Sequence, residues 1–146
     1  MPYWRLYYHF VWTTKRRLPL ITPEAEEVLL GYLIGKADDM KVIVHAVGGV
    51  QDHMHLAASV PPSVALSDFV ARLKGSSSHR LNETLEDAFA WQKGYGVVSF
   101  GEKQLPWVVE YVKTQKEHHA ERTAVGKLEE ITVDSDGPAP TVVWSL

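Results

Sequence analysis

The sequence contains no cysteine. Disulfides, thiolate nucleophiles and cysteine-ligated zinc are thereby excluded, and any metal must be held by imidazole, carboxylate, amide or carbonyl donors. Long apolar runs are missing too: no stretch approaches the roughly 18 residues that a membrane-spanning helix requires. The opening residues, MPYWRLYYHF, lack the basic-then-apolar order of a secretory signal, so a cytoplasmic protein is expected. Nor is there an excess of positive charge. The net charge of −3 and isoelectric point near 6.1 argue against a protein that coats duplex DNA nonspecifically. Disorder is excluded by composition, because 45% hydrophobic against 23% charged residues over 146 positions suffices to bury one core.

The basic charge that is present comes in clusters. Lys15, Arg16 and Arg17 are consecutive, and Arg72, Lys74 and Arg80 lie close together. Each cluster suits a localised phosphate contact and is equally ordinary as a solvated surface.

Periodicity orders the chain. Tyr3 to Thr13 reads as a strand, with Trp4, Leu6, Tyr8, Phe10 and Trp12 on one face. The other face carries Tyr3, Arg5, Tyr7, His9 and Val11, either a working surface or an aromatic strand with polar tips. Thr22 as cap, Pro23 at the first position and Glu24, Glu26 and Glu27 near the positive dipole end start a helix. Its apolar stripe is Ala25, Val28, Leu29, Tyr32 and Leu33, and it should fade near Asp38-Asp39. Lys41 to Val47 is strand-like, with Gly48-Gly49 expected to break it. A second strand of the pair runs from Asp52 or His53 to Val60 and stops at Pro61-Pro62. Ser63 can cap a second helix with the stripe Leu66, Phe69, Val70 and Leu73, weakened by the run Gly75 to Ser78. Tyr95 to Phe100 reads as a fourth strand, and Gln104 to about Arg122 as a last helix entered by Pro106.

The resulting order is β-α-β-β-α-β with a terminal helix. A short glycine-containing link forces the middle strands antiparallel, and both earlier helices can cover one face. The expected class is α+β, a ferredoxin-like antiparallel sheet. Residues 1–122 form the domain and 123–146 a C-terminal tail, in which Asp134 to Pro138 is a loop and Thr141 to Trp144 is apolar enough to dock as an edge strand.

Chemistry concentrates in GGVQDHMHLAASVPP. On a strand, His53 and His55 project from one side while Met54 points to the other. Two parallel imidazoles can share one metal ion, or they can simply be two polar residues on a strand. A third ligand and a reactive partner are needed to decide. The last helix offers both, because Tyr111 and Gln115 lie four residues apart on one face, extended by Trp107 and His119. Gln115 can supply a neutral amide oxygen, with His119 one turn later as a secondary candidate. The Tyr111 hydroxyl can act as a nucleophile once activated, since its unperturbed pKa is about 10. The plainer reading makes Tyr111 a core aromatic with its hydroxyl at the rim.

In combination these segments carry a resemblance. HFVWTTKRRLPLI, DHMHL, VARLKGSSSHRLNE, FAWQKGYGVVSF and YVKTQKEHH, in this order to about Arg122, are similar to the single-tyrosine HUH transposases of bacterial insertion sequences. That group includes relatives associated with repetitive extragenic palindromes. The resemblance implies His53, His55 and Gln115 as ligands of a divalent ion, Mg²⁺ or Mn²⁺, and Tyr111 as the nucleophile. It implies cleavage and rejoining of single-stranded DNA next to hairpin ends through a 5′-phosphotyrosine. It also implies Lys15, Arg16, Arg17, Arg72 and Lys74 as DNA contacts, and a homodimer whose tyrosine helix can serve the partner. Two rivals stand beside it: a metal-dependent phosphodiesterase that uses water, and a non-catalytic nucleic-acid-binding module on the same fold.

Overall fold

Strands β1 (Tyr7–Thr13), β2 (Ile43–Val50), β3 (His53–Ser59) and β4 (Gly96–Phe100) form one sheet in the order β2-β3-β1-β4, with every pair antiparallel. Helices α1 (Pro23–Asp39) and α2 (Leu66–Thr84) separate them as the ferredoxin-like order requires, and α3 (Leu105–Lys113) and α4 (Gln115–Glu121) follow. The computed structural model describes residues 2–85, 88–121 and 124–142. Among them, no helix is long and apolar enough to cross a membrane.

The sheet is covered on both faces. Phe10 and Trp12 of β1 and Met54, Leu56 and Ala58 of β3 meet Leu29 and Leu33 of α1 and Phe69, Val70 and Leu73 of α2 in the main core. On the opposite face a smaller core joins Ala46 and Ala57 to Val108 and Val112 of α3. β3 is buried along its whole length because it serves both. Its odd-numbered residues therefore face α3, His53 and His55 among them.

Several boundaries differ from the sequence expectations for physical reasons. β1 begins at Tyr7 rather than Tyr3, because its neighbours reach only to Phe100 opposite Tyr7 and Ala58 opposite Tyr8. Backbone before that point has no ladder to join. β2 runs through Gly48-Gly49 to Val50, and the turn is Gln51-Asp52. Gly48 is needed for packing instead: a Cβ there would lie 2.5 Å from the Val112 carbonyl oxygen, so its absence lets α3 lie directly on the sheet. Ser63 does not cap α2; the N-cap is Ala65, with no side-chain hydrogen bond. The run Gly75 to Ser78 stays helical, its three serine hydroxyls donating back to the carbonyls of Arg72, Lys74 and Gly75. Ser77 is buried and also accepts from the Trp91 indole N–H at 2.9 Å.

The last helix is broken. Thr114 has φ −107° and ψ 31°, and its hydroxyl donates to the Glu110 carbonyl at 2.7 Å, so α4 leaves on a new axis. Beyond it the chain returns across the α3 face of the sheet. A 3-10 turn at Gly126–Leu128 buries Leu128, and Thr132 bridges to Tyr95. Gly96 permits this return, since a side chain there would collide with the Glu130 carbonyl. Thr141 and Val142 are irregular rather than strand, while Val143 and Trp144 lie outside the described residues, as does Arg122.

Candidate active site

The alternation of β3 and its position between β2 and β1 place His53 and His55 side by side, ring centroids 5.1 Å apart, on a strand that cannot shift without disturbing two ladders. Their inner nitrogens are engaged. His53 Nδ1 donates to Asp52 Oδ1 at 2.7 Å, and His55 Nδ1 lies 2.8 Å from His9 Nε2. With the proton on Nδ1 of each ring, the two Nε2 lone pairs are left for a ligand, the arrangement that metal-binding imidazoles adopt. His9 lies on the second face of β1, for which the sequence left open a working surface or polar tips on an aromatic strand; its part in orienting His55 was not foreseen. Arg5 of the same face precedes the strand and is exposed, 3.9 Å from Glu102.

α3 brings Tyr111 over this pair. Val108, Tyr111 and Val112 form its buried face, and the Tyr111 ring sits 5.9 Å from that of His55 and 6.4 Å from that of His9. Trp107 stacks on Tyr111 with ring centroids 5.5 Å apart, and His118 stacks on it at 4.6 Å. Gln115 is buried, its amide nitrogen donating to the Tyr111 carbonyl at 2.8 Å, which turns Oε1 towards His119 Nε2 at 3.1 Å. His119 Nε2 lies 3.0 Å from His53 Nε2. All four anticipated site residues of the histidine strand and tyrosine helix, together with His119, therefore converge in one chain.

The residue that sequence reasoning missed is Glu129. Its Oε1 lies 3.3 Å from His53 Nε2 and 3.2 Å from His119 Nε2, and its Oε2 lies 3.2 Å from His55 Nε2. Oε2 also accepts from the Tyr111 hydroxyl at 2.8 Å, and that hydroxyl accepts from the Val125 backbone N–H at 2.8 Å. Tyr111 is only 2% exposed, so its hydroxyl is not at the rim. No periodicity marked the segment, and only its fold-back across Gly96 brings it here.

Charge follows from this packing. Burial would raise the Glu129 carboxyl, but the imidazoles of His53 and His55 outweigh it and hold the group well below the usual carboxylate range. Burial also opposes protonation of His53, yet hydrogen bonds and charge from Glu129 and Asp52 raise its pKa. His55 is lowered by burial. His9 falls to about 3 through burial and the neighbouring His55. Tyr111 is pushed up to about 12, first by burial and then by the carboxylate of Glu129. The donor set fits a divalent transition ion: ligand atoms of His53, His55, His119 and Glu129 all lie within 4.8 Å of one another.

The anticipated DNA contacts divide. Lys15, Arg16 and Arg17 form an exposed turn in which Arg16 and Arg17 hold φ of 57° and 53°, a costly left-handed geometry for such residues. Arg16 and Arg17 line a surface cavity of about 380 Å³ with Thr13, Gln92 and Lys93. Arg72 is exposed on α2. Lys74 instead donates to the carbonyls of Gln92 and Gly94 at 2.7 and 2.8 Å, which ties the loop before β4 to α2.

Comparison with known proteins agrees with this geometry. The family model described as "Transposase IS200 like" matches residues 2–115. The ISDra2 transposase TnpA of Deinococcus radiodurans is 30% identical over 121 residues, covering 77% of this chain and 85% of that protein. The transposase for insertion sequence element IS200 of Salmonella typhimurium is 30% identical over 122 residues, covering 78% of this chain and 79% of that protein. A crystal structure assigned as a Deinococcus radiodurans transposase superposes with a TM-score of 0.65 at 24% identity, over 79% of this chain and 95% of the other. A REP-associated tyrosine transposase bound to a REP hairpin gives 0.62 at 16% identity, over 98% of this chain and 99% of the other. The chain belongs to the IS200-like family of single-tyrosine HUH transposases.

Proposed function

We propose that this transposase cleaves and rejoins single-stranded DNA through a covalent bond between Tyr111 and a 5′ phosphate. The observation that carries the reading is the meeting of Tyr111 with His53, His55 and Gln115 around one point of a single chain. A divalent ion held by His53, His55 and Gln115 would draw charge from the scissile phosphate and align it. The chain's own residues do the rest. Asp52 and His9 fix the imidazoles, and the packing of Trp107 and His118 fixes the plane of the tyrosine ring.

In the reaction the Tyr111 hydroxyl gives its proton to a base, for which Glu129 Oε2, already accepting its hydrogen bond, is in place, and the tyrosine oxygen bonds to phosphorus. The bond from phosphorus to O3′ breaks, and O3′ takes a proton from solvent and leaves as a hydroxyl. The phosphodiester energy is kept in the tyrosine ester, so a second 3′-hydroxyl can reverse the step and join new ends. Burial and the Glu129 carboxylate push Tyr111 up to about 12, so its hydroxyl must be activated by loss of the proton as it attacks. The proximity of Tyr111 to its own histidines supports attack within one chain; a homodimer that exchanges tyrosine helices is the alternative.

The substrate reading is single-stranded DNA flanking a hairpin, as the REP hairpin held by a protein of the same fold suggests. The Lys15 to Arg17 turn and Arg72 are the proposed phosphate contacts, and Trp107, 55% exposed beside Tyr111, is a stacking surface for a splayed base. The testing experiment uses 3′-labelled single-stranded DNA from the flanks of the gene, Mn²⁺ and a denaturing gel. The parent gives a protein-linked band that chelator abolishes, and Tyr111→Phe gives none. Cutting by Tyr111→Phe would indicate water as the nucleophile.

A further inference from the structure

The three imidazoles and the carboxylate described above surround one point, with a ligand atom of each within 4.8 Å of the others. Glu129 reaches all three rings, Oε1 standing 3.3 Å from His53 Nε2 and 3.2 Å from His119 Nε2 and Oε2 3.2 Å from His55 Nε2, while His53 Nε2 and His119 Nε2 are 3.0 Å apart. His53 and His55 are already held by their other nitrogens, so their Nε2 atoms need not reorient to accept an ion. Among the described residues, the buried His55 Nε2 makes no aligned hydrogen bond, although the carboxylate stands beside it. A polar atom so placed is what an ion would satisfy.

We propose that Glu129, supplied by the C-terminal segment, is a ligand of the ion, and that with His53, His55 and His119 it forms a site of three imidazoles and one carboxylate. Two consequences follow. Imidazole-rich donors favour Zn²⁺ or Mn²⁺ over Mg²⁺, which prefers oxygen and keeps its water. Docking of the segment around Gly126–Leu128 is linked to metal binding, because the ion gains a ligand only when the segment lies on the sheet. The segment's other anchors among the described residues are modest and include one buried leucine, the Val125 N–H bond to the Tyr111 hydroxyl, the close approach over Gly96 and the Tyr95–Thr132 bridge. This inference rests on the reading of His53 and His55 as metal ligands, and it adds Glu129, together with His119 that the sequence offered only as a secondary candidate, to the set of His53, His55 and Gln115.

The test uses the full chain freed of metal, with Zn²⁺, Mn²⁺ or Mg²⁺ alone as the probe and no DNA. Calorimetry measures affinity, and hydrogen exchange follows the amides from Val125 to Thr132. Zn²⁺ and Mn²⁺ should slow exchange across that segment in the parent, with Mg²⁺ binding more weakly. Glu129→Gln, which keeps the size of the side chain, and Glu129→Ala should each lose at least about 10-fold in Zn²⁺ affinity and the metal-induced slowing. Melting of the metal-free variants checks that the fold persists. If both Glu129 variants bind as the parent does while His55→Ala does not, the inference is overturned and the transposase reading stands. If His55→Ala also binds like the parent, both fall. Metal binding that leaves the segment's exchange unchanged or faster overturns the linkage.

Discussion

Alanine at Gly48 introduces one methyl group where β2 meets α3. The new carbon would lie 2.5 Å from the Val112 carbonyl oxygen, against ordinary contact beginning near 3.4 Å. The obstacle is helix backbone, which has no rotamer to escape into, so α3 must lift by about 0.9 Å or β2 must bend. Overpacking of this kind costs about 1–3 kcal/mol, which in a domain of this size lowers the melting temperature by about 3–10 °C. The chemistry should suffer more than the fold. Tyr111 adjoins Val112 on the displaced helix, and a shift near 1 Å in a reacting group can cost up to about 100-fold in rate. Circular-dichroism melting and the initial rate of covalent adduct formation measure the two effects. Gly31→Ala is the control: nothing lies within 4 Å of that position in α1, so it should stabilise the chain by about 0.5–1 kcal/mol. Parental melting and parental rate in Gly48→Ala would refute the account of how α3 is seated.

Three further outcomes are expected. His9 titrates near 3 in the fold against 6.5 when unfolded, so its contribution to stability is complete above pH 6.5 and is lost as pH falls from there towards 3. Urea unfolding of the parent should lose about 2–4 kcal/mol over that window, with a visibly flatter slope in His9→Phe; equal slopes would contradict it. Mixing His53→Ala with Tyr111→Phe should restore no adduct if attack is within one chain, whereas recovery of activity would establish exchange between protomers. Alanine at Arg16 and Arg17 together should weaken single-stranded DNA binding and reduce the salt slope by about 1–2, and an unchanged slope would remove that turn from the interface.

Much of the fold was legible because it rests on local pattern. Alternation along β3 separated His53 and His55 from Met54, and the four-residue spacing of Tyr111 and Gln115 survived the break at Thr114, since the Gln115 amide still reaches the Tyr111 carbonyl. Gly48-Gly49 was misread as a turn because glycine signals either a turn or a close approach, and only the position of Val112 distinguishes them. Ser63 looked like a cap but lies too far from the first helical turn at Leu66. Glu129 could not have been found by period or motif. It reaches the site through a long-range fold-back over Gly96, in a segment whose only regular element is one short turn. His9 carried a partial signal, a polar residue on an aromatic strand face, without any indication that it would hold His55 from behind.

The central claim is that the Tyr111 oxygen becomes bonded to DNA. The measurement is mass spectrometry of the proteolysed adduct formed with Mn²⁺ and single-stranded DNA, with the DNA trimmed to its terminal nucleotides. The account predicts one modified peptide, carrying a 5′-linked nucleotide on Tyr111. A nucleotide on any other residue, or cleaved DNA with a free 5′ phosphate and unmodified protein, would contradict it.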